Sequence, residues 1–486
     1  MIAPEEDPLN KVKLDTGYIS GLTSGKSEHE ISIFRGIPYA APPVGNLRWK
    51  PPQPVTPWTG IRDCTSFSIQ AAQFPDVHAS EEMKALPSSE DCLYLNVMTP
   101  AKKASDKLPV MVWFHGGGTR YGNGNLPISN SLGLPSHDVV LVTTNHRLGI
   151  LGLFAHPSIS EESSQGVSGN YLFLDLIASL QWVQRNIAAF GGDPDNVTIF
   201  GQSGGGLKVA ALMASPLAKG LFHRAIVQSG GRSFEPAKLE EVENYGERFF
   251  VKLGLADKED PLAAARALPC DQILEAEQAF NIELGPEHLF MGPWGINEDG
   301  WFMPDSILNL FRSGNWNRVP YLLLSDLGEL TGPGLVIADT AIANYLILLN
   351  TPSEAGSPGY AIVFDRVPDN WRKEGCVSAH GMELHYMFGS LDVTEAWEAH
   401  AGGFALAGAT SPMPILTDVD RAVSEGMVSI WTGFARMGNP GVPGIVDWPA
   451  WQKDTDQYLY VNESFEIKTG YSALGNIEPI RIGVTL

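Results

Sequence analysis

Five short runs of apolar and β-branched residues punctuate the chain, at 110–114, 139–144, 197–200, 225–228 and 319–324, each bounded by turn-forming residues. Runs that are apolar at successive rather than alternate positions read as strands buried on both faces. Between them the spacing changes. Over 171–190, Leu172, Leu176, Leu180, Val183 and Ile187 recur close to every 3.6 residues, which predicts a helix with one buried stripe. Gly191, Gly192, Asp193 and Pro194 then end it. A second helical and charge-rich stretch covers 240–277. Strands alternating with helices predict an α/β fold with a mostly parallel sheet covered on both faces.

Length and composition suit that reading. The 486 residues are 44% hydrophobic, enough for a large core. No repeat, low-complexity stretch or linker divides them. One domain over 1–486 is expected, with helical cap segments near 235–290 and 330–375. A net charge of −22 argues against a nucleic-acid partner or an anionic membrane surface, because like charges repel. No apolar run reaches the ~20 residues of a bilayer span. The start, M-I-A-P-E-E-D-P, lacks the basic head and apolar segment of an export signal. A cytoplasmic location is favoured, although a processed, secreted form would read the same way. Cys64, Cys92, Cys270 and Cys376 form no C-x-x-C pair, and no H-E-x-x-H or similar cluster occurs, so neither metal nor cofactor is expected. A monomer and a homodimer fit equally.

The chemistry gathers in one segment. The strand 197–200 runs into Gly201-Gln202-Ser203-Gly204-Gly205 and then a small-residue helix start, the context of a G-x-S-x-G nucleophile elbow. Glycines two positions either side of Ser203 leave room for strand and helix to pass while the hydroxyl stays exposed. A serine hydroxyl is a poor nucleophile at neutral pH and needs both a base and a site for the oxyanion that forms on attack. Upstream, the strand 110–114 leads into His115-Gly116-Gly117-Gly118. The matching motif predicts N–H donors at Gly117 and Gly118, joined by Gly204.

Further ordered segments carry a resemblance. These are Phe34-Arg35-Gly36-Ile37-Pro38-Tyr39-Ala40, Pro42-Pro43-Val44-Gly45 with Leu47-Arg48-Trp49, Ser89-Glu90-Asp91-Cys92-Leu93, Asn145-His146-Arg147-Leu148-Gly149 and Gln228-Ser229-Gly230. Together with the elbow and the glycine loop they span almost the whole chain, which resembles the type-B carboxylesterases of the α/β-hydrolase fold. The resemblance implies a serine carboxylic-ester hydrolase working through an acyl-enzyme on small to medium esters. It places the base at His380 in His380-Gly381-Met382-Glu383-Leu384, and the acid at Glu329, with Asp326 as the alternative. It also implies that Ser229 lies near the triad, that Arg35 pairs with Glu90, and that Arg147 pairs with Asp175. His115, His146 and His385 read either as structural or as supporting neighbours of the site residues.

The chain departs from the family in several places. Gln202 and Gly204 stand where the elbow usually has Glu and Ala, so a negative charge beside the serine is lost while the Gly204 N–H remains. Thr119 replaces an aromatic after the glycines and is expected to open or polarise a pocket wall. Ala71 and Ala72 stand where relatives carry the partner of Cys92, so no family disulfide is expected, which tilts toward a reducing compartment. The loop 71–92 holds no tryptophan for a choline ammonium, against a cholinesterase. The segment from Glu329 to His380 is short, which implies a trimmed cap and an open gorge. A rival from another class, a non-catalytic adhesion or scaffold relative, would lack the triad that this chain keeps.

Overall fold

The computed structural model describes residues 9–24, 30–74, 86–231, 235–286, 288, 292–331, 338–394, 397–398 and 413–476. Eleven strands form its main sheet: β1 (Leu22–Ser24), β2 (Ile31–Pro38), β3 (Tyr94–Thr99), β4 (Leu108–Phe114), β5 (Val140–Thr144), β6 (Gly192–Gln202), β7 (Arg224–Gln228), β8 (Tyr321–Asp326), β9 (Gly359–Phe364), β10 (Gln457–Val461) and β11 (Phe465–Thr469). They lie side by side in the order β11-β10-β9-β8-β7-β6-β4-β5-β3-β2-β1. From β10 to β5 every neighbouring pair is parallel, and the pairings at both margins are antiparallel.

The doubly apolar runs are explained by two cores, one on each face. Val110, Val112 and Phe114 of β4 point into one, and Met111 and Trp113 into the other. Helix α1 (Tyr171–Asn186) lays the predicted Leu172, Leu176, Leu180 and Val183 stripe on the first face. A 3₁₀ turn then carries the chain to Gly191, whose φ of 75° closes it. Each fully buried aliphatic side chain contributes roughly 1.5–3 kcal/mol. After α2 (Gly204–Ala214), the charge-rich stretch resolves into three helices: α3 (Leu239–Lys252), α4 (Pro261–Ala267) and α5 (Cys270–Leu284). Phe249 and Phe250 of α3 anchor them on Phe154, with ring centroids 5.8 and 5.6 Å away.

The second expected cap segment is different. Within 330–375, helix α6 (Ala338–Glu354) lies in the crossover between β8 and β9, and β9 itself is an interior strand of the sheet. The physical reason is plain in Tyr360, Ala361, Ile362, Val363 and Phe364, an apolar run of the same kind as the other strands. Helix α7 (Asp418–Met437) covers the second face through Val423, Met427, Ile430, Trp431 and Phe434. Among the described residues, no helix is long and apolar enough to cross a membrane.

The strand order fixes where chemistry can sit. The chain adds β5 on one side of β4 and then β6 on the other, so the connections diverge at the β4/β6 boundary. Such a switch point leaves a crevice at the carboxyl ends of the strands. The glycine loop leaves β4 there, and Ser203 follows β6.

Candidate active site

Ser203 stands between β6, which ends at Gln202, and α2, which starts at Gly204. Its φ of 59° and ψ of −123° lie where side-chain-bearing residues are rarely found. Such a conformation costs of order 1–3 kcal/mol and persists only where neighbours over-determine it. Here the Ser203 N–H donates to the Gln228 carbonyl at the end of β7 (2.8 Å), and the Leu207 N–H donates back to the Ser203 carbonyl (3.1 Å). The approach of loop to helix is possible only without side chains. A Cβ at Gly205 would stand 2.1 Å from the Phe114 carbonyl oxygen, and one at Gly204 would stand 2.0 Å from that of Gly118.

The same crowding presses the glycine loop onto the elbow. Gly117 and Gly118 adopt φ of 83° and 61°. Among the described residues, no backbone acceptor engages the N–H of Gly117, Gly118 or Gly204. Gly204 opens an 11-residue helix, whose leading N–H groups have no partner inside the helix. The structure thus brings the three expected donors into one neighbourhood beside Ser203.

The expected base and acid meet each other. His380 Nδ1 hydrogen-bonds to Glu329 Oε1, while Glu329 Oε2 accepts the Asp326 N–H at 3.3 Å. The other ring nitrogen, Nε2, faces the Gln202 side-chain nitrogen at 3.3 Å, so His380 lies beside the residue that precedes Ser203. Glu329 is 14% exposed and His380 37%. Gly328 makes the approach possible: a Cβ there would be 2.4 Å from the Ser378 carbonyl oxygen, in the loop that carries His380. The Leu327 N–H donates to Ser378 Oγ (2.9 Å) and the Gly328 N–H to the Ser378 carbonyl (3.0 Å), tying the two loops together.

Asp326, the alternative acid, is engaged elsewhere. Its Oδ2 accepts the Gly381 N–H at 3.0 Å, one residue past the histidine. Burial first, and the neighbouring Glu383 and Glu329 next, push its carboxyl well above the usual carboxylate range. Glu383, from the His-Gly-x-Glu segment, is buried with it and accepts a hydrogen bond from Gln228 Nε2 (3.0 Å). Two adjoining buried carboxyls cannot both ionise, so this pair retains a proton and packs beneath the histidine loop. Both Glu383 and Gln228 lay in quoted sequence motifs, yet their contact joins positions 155 residues apart and had no local signal.

A model of the carboxylesterase family matches residues 8–344 and 323–474. The chain belongs to the carboxylesterase family. Its relatives include the para-nitrobenzyl esterase of Bacillus subtilis strain 168, 32% identical over 92% of this chain and 94% of that protein. Carboxylesterase 1C of Mus musculus is 33% identical over 89% and 85%. A fumonisin B1 esterase of Sphingopyxis macrogoltabida is 38% identical over 67% of this chain, a match that spans 57% of that relative. A solved thermophilic pNB esterase superposes with a TM-score of 0.79 at 29% identity, covering 94% of this chain and 97% of its own. The fold is that of the α/β-hydrolases, and the chain is a carboxylic ester hydrolase. The adhesion or scaffold reading is not favoured.

One detail of this carboxylesterase differs from expectation. Glu90 pairs with Arg48, not Arg35: Arg48 Nε and Nη2 each lie 2.6 Å from the carboxylate, and Arg48 Nη1 also donates to carbonyls at Ala265 and Leu268 around the end of α4. A planar fork that satisfies a carboxylate and buried carbonyls together outcompetes a single contact. Arg35 instead lies over the Phe67 ring, 4.3 Å from its centroid. Thr119, expected to open or polarise a pocket wall, is buried at 1% exposure, and its hydroxyl has no hydrogen-bond partner among the described residues. Arg147 and Asp175 do pair, at 2.6 Å, in the core. Ser229 follows β7 with φ of 52°, and its buried Oγ has no hydrogen-bond partner among the described residues.

Gln202 carries a prediction. Its amide, 3.3 Å from His380 Nε2, presents a donor that suits an unprotonated Nε2. In Gln202→Glu a carboxylate would face that nitrogen and favour the imidazolium. Opposite charges this close raise a histidine pKa by roughly one unit or more. The acid limb of the kcat/KM profile should therefore move to higher pH by about that much, with cationic esters gaining relative to neutral ones. A pH–rate series on both proteins checks this; coincident acid limbs would place Gln202 away from the working imidazole.

Proposed function

We propose that Ser203, His380 and Glu329 hydrolyse small to medium carboxylic esters through an acyl-enzyme. The observation that carries this reading is the His380–Glu329 contact, beside a serine held in a strained strand-to-helix turn. Ser203 Oγ attacks the ester carbonyl as His380 Nε2 takes its proton, and the carbonyl oxygen becomes an oxyanion facing the N–H groups of Gly117, Gly118 and Gly204. Collapse expels the alcohol, which receives the proton from His380. Water, deprotonated by the same nitrogen, then releases the acid and restores Ser203. Glu329 keeps the Nδ1 proton in place throughout, so Nε2 stays available as a base.

His380 is more than one-third exposed, which supports a site open to bulky acyl or alcohol groups. A fluorophosphonate probe tests the whole assembly, because it needs both an activated serine and an oxyanion site. One phosphonyl group per chain, mapped by peptide mass to Ser203, is the expected result. Folded protein that takes up no label, or takes it elsewhere, would overturn the assignment.

A further inference from the structure

Helix α2, which begins at the nucleophile, is buried along its whole length by Leu207, Val209, Ala210, Ala211, Leu212 and Met213, and among them lies Lys208. Its side chain is fully buried. A buried ammonium is expensive to keep in an apolar setting, and an apolar side chain of similar length would fill the space without that penalty. Packing alone therefore gives no reason for an amine here.

The amine has a specific contact. Lys208 Nζ donates to the His115 carbonyl at 2.9 Å. That carbonyl belongs to the residue joining β4 to the glycine loop, and a Cβ at Gly205 would lie 3.1 Å from it. The ammonium thus bridges the nucleophile's helix and the first peptide of the loop that carries Gly117 and Gly118. We propose that Lys208 is a positioning residue for ester hydrolysis: its charged amine holds the glycine loop in register with Ser203 and sets a positive charge behind the developing oxyanion. This rests on the assignment of Ser203 and the glycine-loop donors made above.

The groups that face the amine leave its charge unopposed. They are His115, after β4, and His146, after β5, whose rings stack with centroids 4.3 Å apart. Burial first, and the Lys208 charge next, push both imidazoles well below their ordinary value, so both are neutral. Neither ring nitrogen of His146 finds a hydrogen-bond partner among the described residues, nor does His115 Nε2. Burial, with no carboxylate contributing, lowers the Lys208 amine to about 7. The sign follows directly: below that pH the amine is charged and supports the oxyanion, and as pH rises through it the support is lost.

Full-length wild type and Lys208→Met are compared, with rates normalised to the fraction of chains that a phosphonate probe titrates. In the variant, kcat should fall at least about tenfold, less than the 10²–10³ lost with a direct oxyanion donor, while KM stays within about twofold. Wild-type kcat should decline as pH rises through the Lys208 titration, and that decline should be absent from the variant. An unchanged kcat per titrated site would overturn the proposal. So would a lower kcat with the alkaline limb intact, because a packing defect would do the same. Should Lys208→Met fail to fold, the wild-type profile decides, since a kcat plateau extending to pH 10 excludes a working charge on a buried lysine. Failure of wild type to label at Ser203 is a separate result and would remove the underlying site assignment.

Discussion

Ser203→Ala should leave a folded protein with no measurable ester turnover. In the serine-hydrolase template, loss of the nucleophile alone lowers kcat by about 10⁶, nearly as much as loss of the entire triad. The remaining acceleration over water comes from binding and the oxyanion donors. The fold should tolerate the change. The two hydrogen bonds that lock the turn, Ser203 N–H to Gln228 and Leu207 N–H to the Ser203 carbonyl, are both made by backbone. Alanine also carries a Cβ, so it meets the same strain at φ of 59°. The thermal midpoint should therefore shift by no more than about 2 °C, consistent with a stability change within ±0.5 kcal/mol. Initial rates and thermal unfolding on the same sample check both halves, and esterase activity surviving in a cleanly purified variant would mean another nucleophile.

The strands that frame this site were readable because a central parallel strand must be apolar on both faces. The runs at 110–114, 197–200 and 225–228 all fall inside β4, β6 and β7. β9 shows the same pattern, but counting the short interval between acid and base as trimmed cap obscured it. The interval in fact holds α6 and β9, and β9 pairs in parallel with β8 on its outer side. Pattern also failed for Glu90. Arg35 and Arg48 occupy neighbouring motifs, and only the carbonyls near the end of α4, more than 200 residues away in sequence, select Arg48.

The candidate site was readable for a different reason: the elbow marked Ser203, while the family resemblance implied His380 and Glu329, which the structure brings into contact. What was not readable was their support. Lys208 sits inside the elbow segment, where it looks like one more helical residue, and its burial follows from the glycine loop folding across α2. Asp326 looked like a second candidate acid. Only the third dimension shows that it holds Gly381 and shares its surroundings with Glu383, leaving Glu329 free to reach the ring. Local chemistry names the nucleophile, and long-range packing decides which of two similar carboxyls becomes a neutral strut.

That division makes the second large effect specific to one carboxylate. In Glu329→Gln the side-chain amide must satisfy two neighbours at once. The Asp326 N–H already donates to Oε2, so the amide oxygen is held at that position and the NH2 group turns toward His380 Nδ1. A donor there forces Nδ1 to accept and moves the imidazole proton to Nε2, where it blocks proton transfer from Ser203. The corresponding change in the triad template lowers kcat by roughly 10⁴, and a loss of that order is expected here with the thermal midpoint little changed. Asp326→Asn is the matched control. Asp326 is held mainly protonated by burial, so an amide can still accept the Gly381 N–H and donate toward Glu383. Its kcat should stay within about tenfold of wild type, the difference from roughly 10⁴ being some 4 kcal/mol of transition-state stabilisation. Steady-state kcat for the two variants, measured side by side, decides the matter: an active Glu329→Gln beside an inactive Asp326→Asn would transfer the role of triad acid to Asp326.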